Sequence, residues 1–257
     1  MTPLDAILIV LAGMVAGVMN AVVGAGTLVT FPTLLLLGYP AVLANVSNTV
    51  GLVPGSVMGA IGYRATLRGR GPILARLVVA ATVGSIIGGA LLVQLPGRAF
   101  DAIVPWLLLV AAVLAALQPR ISEGVALRRS ARGVADAAVI PVSGGIVLLV
   151  GATGVYGGYF GAAQGVILLV ILGLALGGPL NELNGVKNVL GGTVNLVAAL
   201  LFILVSEVDW TVAALVAVGA TIGGGLGGRY GRRLPSSVLR VLLVSIAVIA
   251  AAVRFIG

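Results

Sequence analysis

The chain alternates long uncharged apolar stretches with short clusters of arginine. Residues 6–63 hold no charged side chain. As one continuous helix they would extend about 87 Å, close to three bilayer cores of ~30 Å, so they must fold back on themselves. Gly24-Ala-Gly26 and Gly38-Tyr-Pro40 are the natural breaks. They predict a helix near 4–23, a short one near 27–37 and a third near 42–63. The short helix has about 11 residues, too few to span unaided. Arg64, Arg68, Arg70 and Arg76 then surround a loop. A fourth segment near 77–95 ends at Leu95-Pro96-Gly97-Arg98, and a fifth near 102–118 ends at Gln118-Pro119. Pro32 and Pro54 predict kinks or breaks within their segments.

The plan then repeats. Residues 119–136 form a polar connection with Arg120, Arg128, Arg129 and Arg132 set against Glu123 and Asp136. Residues 137–181 are again uncharged, with a glycine-rich break from Gly157 to Gly165. The predicted segments are 137–158, a shorter 163–176, 184–204, 210–228 and 237–254. Gly17-Val18 matches Gly154-Val155, and Asn48 matches Asn188. Gly84-x-x-x-Gly88-Gly89 matches Gly219-x-x-x-Gly223-Gly224, and Leu95-Pro96 matches Leu234-Pro235. The offsets are 137, 140, 135 and 139, a nearly constant period that reads as an internal duplication. The units are a first membrane repeat at 1–118, a basic linker at 119–136 and a second membrane repeat at 137–257.

Charge orients these segments. With five crossings per half, the loops at 64–76, 119–136 and 229–240 fall on one side and carry twelve arginines. Arg98, Arg254, Asp5, Asp101, Glu207 and Asp209 fall on the other. That is a positive-inside pattern, with basic loops cytoplasmic and both termini outside. An odd number of crossings inverts one half relative to the other, an arrangement transporters use for alternating access. The expected fold is therefore all-α: a polytopic transmembrane bundle of two inverted repeats, about five segments each, with short broken or half-spanning helices. Whether 27–37 and 163–176 span or re-enter is left open.

Composition supports this and removes other classes. Hydrophobic residues make up 60% and charged residues 9%, against about 25% charged in soluble domains. With no cysteine and no histidine, disulfides, thiol chemistry and the commonest metal ligands are excluded. The net charge of +8 is explained by cytoplasmic loops and requires no nucleic acid. The start, Met-Thr-Pro-Leu-Asp, lacks a basic n-region and reads as a retained first helix. No Walker-type Gly-Lys-Ser/Thr and no carboxylate pair lies in the apolar segments, so the chain reads as no enzyme and needs no cofactor.

Candidate chemistry centres on Asn184–Asn195, which holds the chain's single lysine, Lys187. Asn184, Asn188, Gly191 and Asn195 share one helical face. A cation flanked by amides, with glycines allowing close approach, suits a small anion. Lys187 either faces a cavity or snorkels toward the interface with Glu182 as partner. Gly24-Ala-Gly26-Thr27 and Gly161-Ala-Ala-Gln164-Gly165 sit at matching breaks. Either unwound backbone there offers N–H groups to an anion at a half-helix start, or the glycines serve close packing. Asn20, Asn48, Thr49, Asn188 and Asn195 are polar at membrane depth, as anion donors or as interhelical bonds. Tyr156 reads as a site residue or an interfacial anchor, and Tyr159 as an interfacial anchor.

These motifs resemble the sulfite exporter TauE/SafE family, also called the toluenesulfonate uptake permease family. The likeness rests on Gly17-Val-Met-Asn20-Ala-Val-Val-Gly24-Ala-Gly26-Thr27 with Phe31-Pro32, and on Ala44-Asn45-Val-Ser-Asn48-Thr49. In the second half it rests on Gly154–Gly165, Asn184-Gly-Val-Lys187-Asn188 and Val208-Asp-Trp210. The resemblance implies a bacterial or archaeal inner-membrane permease for sulfite or organosulfonates, in export or uptake. The expected function is secondary-active transport of such an oxyanion by alternating access. The alternatives are an uncoupled anion channel of the same fold and a non-transport scaffold subunit. The expected partners are a small anion and the bilayer, with a coupling proton or ion, the transport direction and the oligomeric state left open.

Overall fold

The computed structural model describes residues 1–67, 69–131, 143–176 and 180–230. They form nine α-helices, one short 3-10 turn at Arg64–Leu67 and no strands. Six helical stretches are long and apolar enough to cross a bilayer. They lie in α1 (Pro3–Val22), α3 (Ala41–Gly62), α4 (Gly71–Gln94), α5 (Gly97–Ala131), α8 (Leu180–Val205) and α9 (Trp210–Tyr230). Three apolar helices are shorter: α2 (Thr27–Leu36), α6 (Gly144–Tyr159) and α7 (Gln164–Ala175). The expected segment 237–254, the Leu234-Pro235 match and the stretch 132–142 lie outside the described residues.

Local chemistry sets several boundaries. Thr2 and Asp5 form a reciprocal capping box, Thr2 N–H to Asp5 Oδ2 at 2.6 Å and Asp5 N–H to Thr2 Oγ1 at 3.2 Å, and Pro3 takes the first helical position. Asp209 caps α9 by accepting from Val212 N–H at 3.0 Å. Gly24, Gly38 and Gly161 adopt φ of 84°, 86° and 76°, so the expected breaks are left-handed turns. Pro32 and Pro54 do not break their helices, since α2 and α3 run through both. The predicted end at Gln118-Pro119 is also overridden: α5 continues to Ala131. Proline removes one backbone donor, and the helix formers that follow, including Glu123, Ala126, Leu127 and Arg128, carry the helix on.

Packing exchanges partners between the halves. α1 lies on α9 and α4 on α6; α9 also packs on α3, α4 on α8, and α3 on α8. Swapping α1 for α6, α3 for α8 and α4 for α9 returns the same set of contacts. Small residues permit the close approach. Gly13 meets Val216, and Gly17 meets Ala220 and Gly224, so α1 and α9 run in the same direction. Gly84 meets Gly151 and Val155, and Gly88 meets Val155 and Tyr159, so α4 and α6 do likewise. The register corrects one sequence match. Gly84 faces Gly151 and Val155 as Gly223, not Gly219, faces Met14 and Val18. The motif thus corresponds to Gly223-x-x-x-Gly227-Gly228, one turn later and at offset 139, the same as Leu95-Pro96.

The ends of the bundle differ in charge. At one end Tyr39 O–H reaches Met1 Sδ at 3.6 Å and Asp209 N–H donates to Ser47 Oγ at 2.9 Å. Burial, then the Asp209 and Asp5 carboxylates, push the Tyr39 hydroxyl above its ordinary range. α2 and its turn therefore return the chain to the level of its start. At the other end Gly62 meets Gly228, and Arg70 pairs with Glu182 across the halves. Leu4, Leu11, Val79, Val83, Ile86, Leu200 and Leu204 are exposed, an outward apolar face suited to lipid. Phe31, Phe100, Tyr159 and Phe160 pack edge to face, with centroids 5.2–6.4 Å apart, between α2, α5 and the end of α6.

Candidate functional site

The site is built on the C-terminal end of α1. Gly24 turns left-handed, and Val23 and Gly24 N–H both donate to Met19 O at 2.8 Å. The carbonyls of Asn20 and Ala21 therefore face outward without helical donors, as the last turn of a helix leaves them. Lys187 Nζ donates to Asn20 O at 3.3 Å and Ala21 O at 3.2 Å, and Asn188 Nδ2 to Ala21 O at 3.1 Å. A cation at a helix C-terminus also meets the negative end of the helix dipole. Lys187 is 2% exposed, and Glu182 is engaged by Arg70, so the snorkelling alternative is overturned.

A small cleft adjoins this junction, lined by residues of α1, α3, α7 and α8. Among the predicted residues it brings together Asn20, Gly24, Gln164, Lys187, Asn188 and Asn195. Asn195 Nδ2 donates to Ser56 Oγ at 3.2 Å and Asn20 Nδ2 to the same oxygen at 3.4 Å. Gln164 Nε2 reaches Gly191 O at 3.5 Å, while its Oε1, buried against Gly157, has no partner. The lining thus carries one lysine amino group and the side-chain amides of Asn20, Gln164, Asn188 and Asn195, and no carboxylate among the described residues. Each amide nitrogen keeps a second N–H beyond the bond it makes here, so the lining can donate to an acceptor-rich ligand.

The other predicted residues support the frame without lining the cleft. Gly26 N–H donates to Asn20 Oδ1 at 3.0 Å, and Gly165 N–H to Gly24 O at 3.0 Å. These backbone donors at the two breaks are therefore already engaged. The breaks touch: a Cβ on Gly24 or Gly165 would collide with the other's backbone. Thr27 is buried in the first turn of α2, and Gly161 supplies the turn after α6. Asn48 accepts from Thr30 Oγ1 in the buried contact between α2 and α3, and Thr49 bonds back to Asn45 O at 2.8 Å. Tyr156 O–H fastens the second break through Ala162 O at 2.6 Å. At the end of α6, Asn45 Nδ2 takes Tyr159 O at 3.1 Å. The two breaks are thus capped differently: an ammonium and an amide at one, an amide alone at the other. Sequence reasoning missed Ser56 and Gly59; the signal was Ser56 seven residues after Thr49, two turns along one face.

The family model described as "Sulfite exporter TauE/SafE" matches residues 9–254. A Sinorhizobium protein, "Probable membrane transporter protein ORF9", is 26% identical over 96% of this chain and 90% of its own length. A "Probable membrane transporter protein" of Haemophilus influenzae is 24% identical over 90% of this chain and 87% of its own. "Probable membrane transporter protein YfcA" of Escherichia coli is 27% identical over 93% and 85% respectively. No solved structure matches the chain.

Proposed function

The chain belongs to the sulfite exporter TauE/SafE family, and on that premise we propose that it is a secondary transporter of a small sulfur-bearing oxyanion, sulfite or an organosulfonate. The observation that carries the reading is Lys187, a buried ammonium beside the amides of Asn20, Asn188 and Asn195 in a cleft without carboxylates. The exchange of packing partners supports two inverted halves rocking about this cleft. The end carrying Arg64, Arg70 and Arg229 is the cytoplasmic one by the positive-inside rule.

Ligand protection tests the site. An anion that binds the folded state raises the melting temperature by mass action. Sulfite, thiosulfate, sulfoacetate, taurine, sulfate and simple carboxylates form the panel. A sulfur oxyanion is expected to protect wild type and to lose its effect in Lys187→Ala. Equal protection of both proteins removes Lys187 from the site. Protection by carboxylates alone overturns the substrate class.

A further inference from the structure

Lys187 carries a second consequence, which rests on the reading above. We propose that Lys187 is the proton carrier of the transport cycle, binding one proton together with one monoanion and releasing both on the other side.

Neutral groups surround the Lys187 amino group. Lys187 is 2% exposed, and its Nζ donates to two neutral carbonyl oxygens, those of Asn20 and Ala21. No described carboxylate pairs with it. The elements packed on α8 are α1, α3, α4, α6, α7 and the 3-10 turn. Their titratable and charged groups are few. α1 has Asp5, capped by Thr2 at the far end. α4 has Arg76, and the turn has exposed Arg64. α6 has Tyr156, bonded to Ala162 O, and Tyr159 in the aromatic cluster. α3 and α7 have none, and on α8 itself Glu182 is held by Arg70. Among the residues lining the cleft, Lys187 alone can change charge by gaining or losing a proton.

Charge balance then fixes the cycle. With a monoanion bound, the ammonium and the anion cancel and the loaded cleft is neutral. Without it, a protonated Lys187 is a 2% exposed charge facing only neutral carbonyl oxygens, a costly arrangement. The unloaded carrier returns neutral only as the amine. The balanced step is amine plus proton plus monoanion giving an ammonium–anion pair, reversed at the opposite face. The transport is one proton per anion and moves no net charge. This selects sulfonates and hydrogen sulfite over dianions, which would leave the loaded cleft with a net negative charge.

Purified protein in liposomes tests this with radiolabelled methanesulfonate, the anion of a strong acid that has no protonated form to leak. An inward proton gradient of one pH unit is expected to drive about tenfold accumulation, the equilibrium ratio for one proton per anion. A potassium–valinomycin potential at equal pH is expected to drive none. Lys187→Arg keeps a cation that does not deprotonate. Accumulation by this variant is expected to fall to about onefold. Wild-type accumulation that follows voltage or ignores pH overturns the proposal, as does gradient-driven accumulation by Lys187→Arg. Where that variant is unfolded or inactive, a lumenal pH dye on wild type decides: one proton per anion supports the proposal, and none overturns it. No exchange of methanesulfonate by wild type defeats the parent reading as well, whereas exchange without proton movement defeats this one alone.

Discussion

Ser56 shows how much one side chain organises here. Its Oγ donates to Leu52 O at 3.0 Å and accepts from the amides of Asn195 and Asn20, joining α3, α8 and α1 at the cleft. Ser56→Ala strands two amide donors, and unmade buried bonds cost about 1–3 kcal/mol. The variant is expected to melt at lower temperature and to need roughly tenfold more anion for equal protection, since ~1.4 kcal/mol is a factor of ten. Unchanged protection would show that the amides need no aiming group. Asn188 makes a complementary case. Asn188→Leu leaves Ala21 O to Lys187 alone and is expected to lower stability by about 1–3 kcal/mol, read by denaturation.

At the scale of elements, glycine decides where helices can meet. Gly88 on α4 lies against the backbone of α6, and an added Cβ would overlap Val155 O. Backbone cannot yield as a flexible side chain can, so Gly88→Ala is expected to destabilise by about 1–3 kcal/mol. Gly124 on α5 has nothing within 4 Å of the same position. Gly124→Ala is expected to be neutral or to stabilise by about 0.4–1 kcal/mol through the unfolded chain. Equal effects at the two sites in a thermal unfolding series would refute the packing account. The same contacts explain what the sequence disclosed. Breaks at Gly24, Gly38 and Gly161 were legible because an uncharged run too long for one crossing must turn. The α9 register was not, because Gly219-x-x-x-Gly223-Gly224 and Gly223-x-x-x-Gly227-Gly228 fit one pattern equally and tertiary contacts choose. The end of α5 was misread because Pro119 is a local signal that the following helix formers override. The cleft was half legible. The spacing of Lys187, Asn188 and Asn195 marks a face, but the engagement of Gly26 N–H by Asn20 needs the fold.

For the whole molecule, the question is what holds the halves together at the arginine-rich end. Arg70, just before α4, donates through Nε to Glu182 Oε2 at 3.1 Å and also through Nη2 to the same oxygen. The pair joins the first half to the first turn of α8, about one and a half turns from Lys187. If the halves rock about the cleft, this end parts only when the pair opens. Partly exposed pairs contribute little to overall stability. They can still bias two conformations of similar free energy, and a shift of one kcal/mol changes their ratio about fivefold. Glu182→Gln keeps the shape and removes the charge, so it is expected to favour the conformation open at this end without a large loss of melting temperature. The chain has no cysteine, which permits a clean reporter. Gly192 lines the cleft, and a Cβ there would sit 3.6 Å from Ser56 Cβ, an ordinary contact. Gly192→Cys is expected to react with a membrane-impermeant maleimide from the arginine-rich side several-fold faster when combined with Glu182→Gln. Reversing both charges, Arg70→Glu with Glu182→Arg, is expected to return the rate toward that of Gly192→Cys alone. A rate indifferent to all three backgrounds would show that the pair does not gate the cleft, whatever the cleft carries.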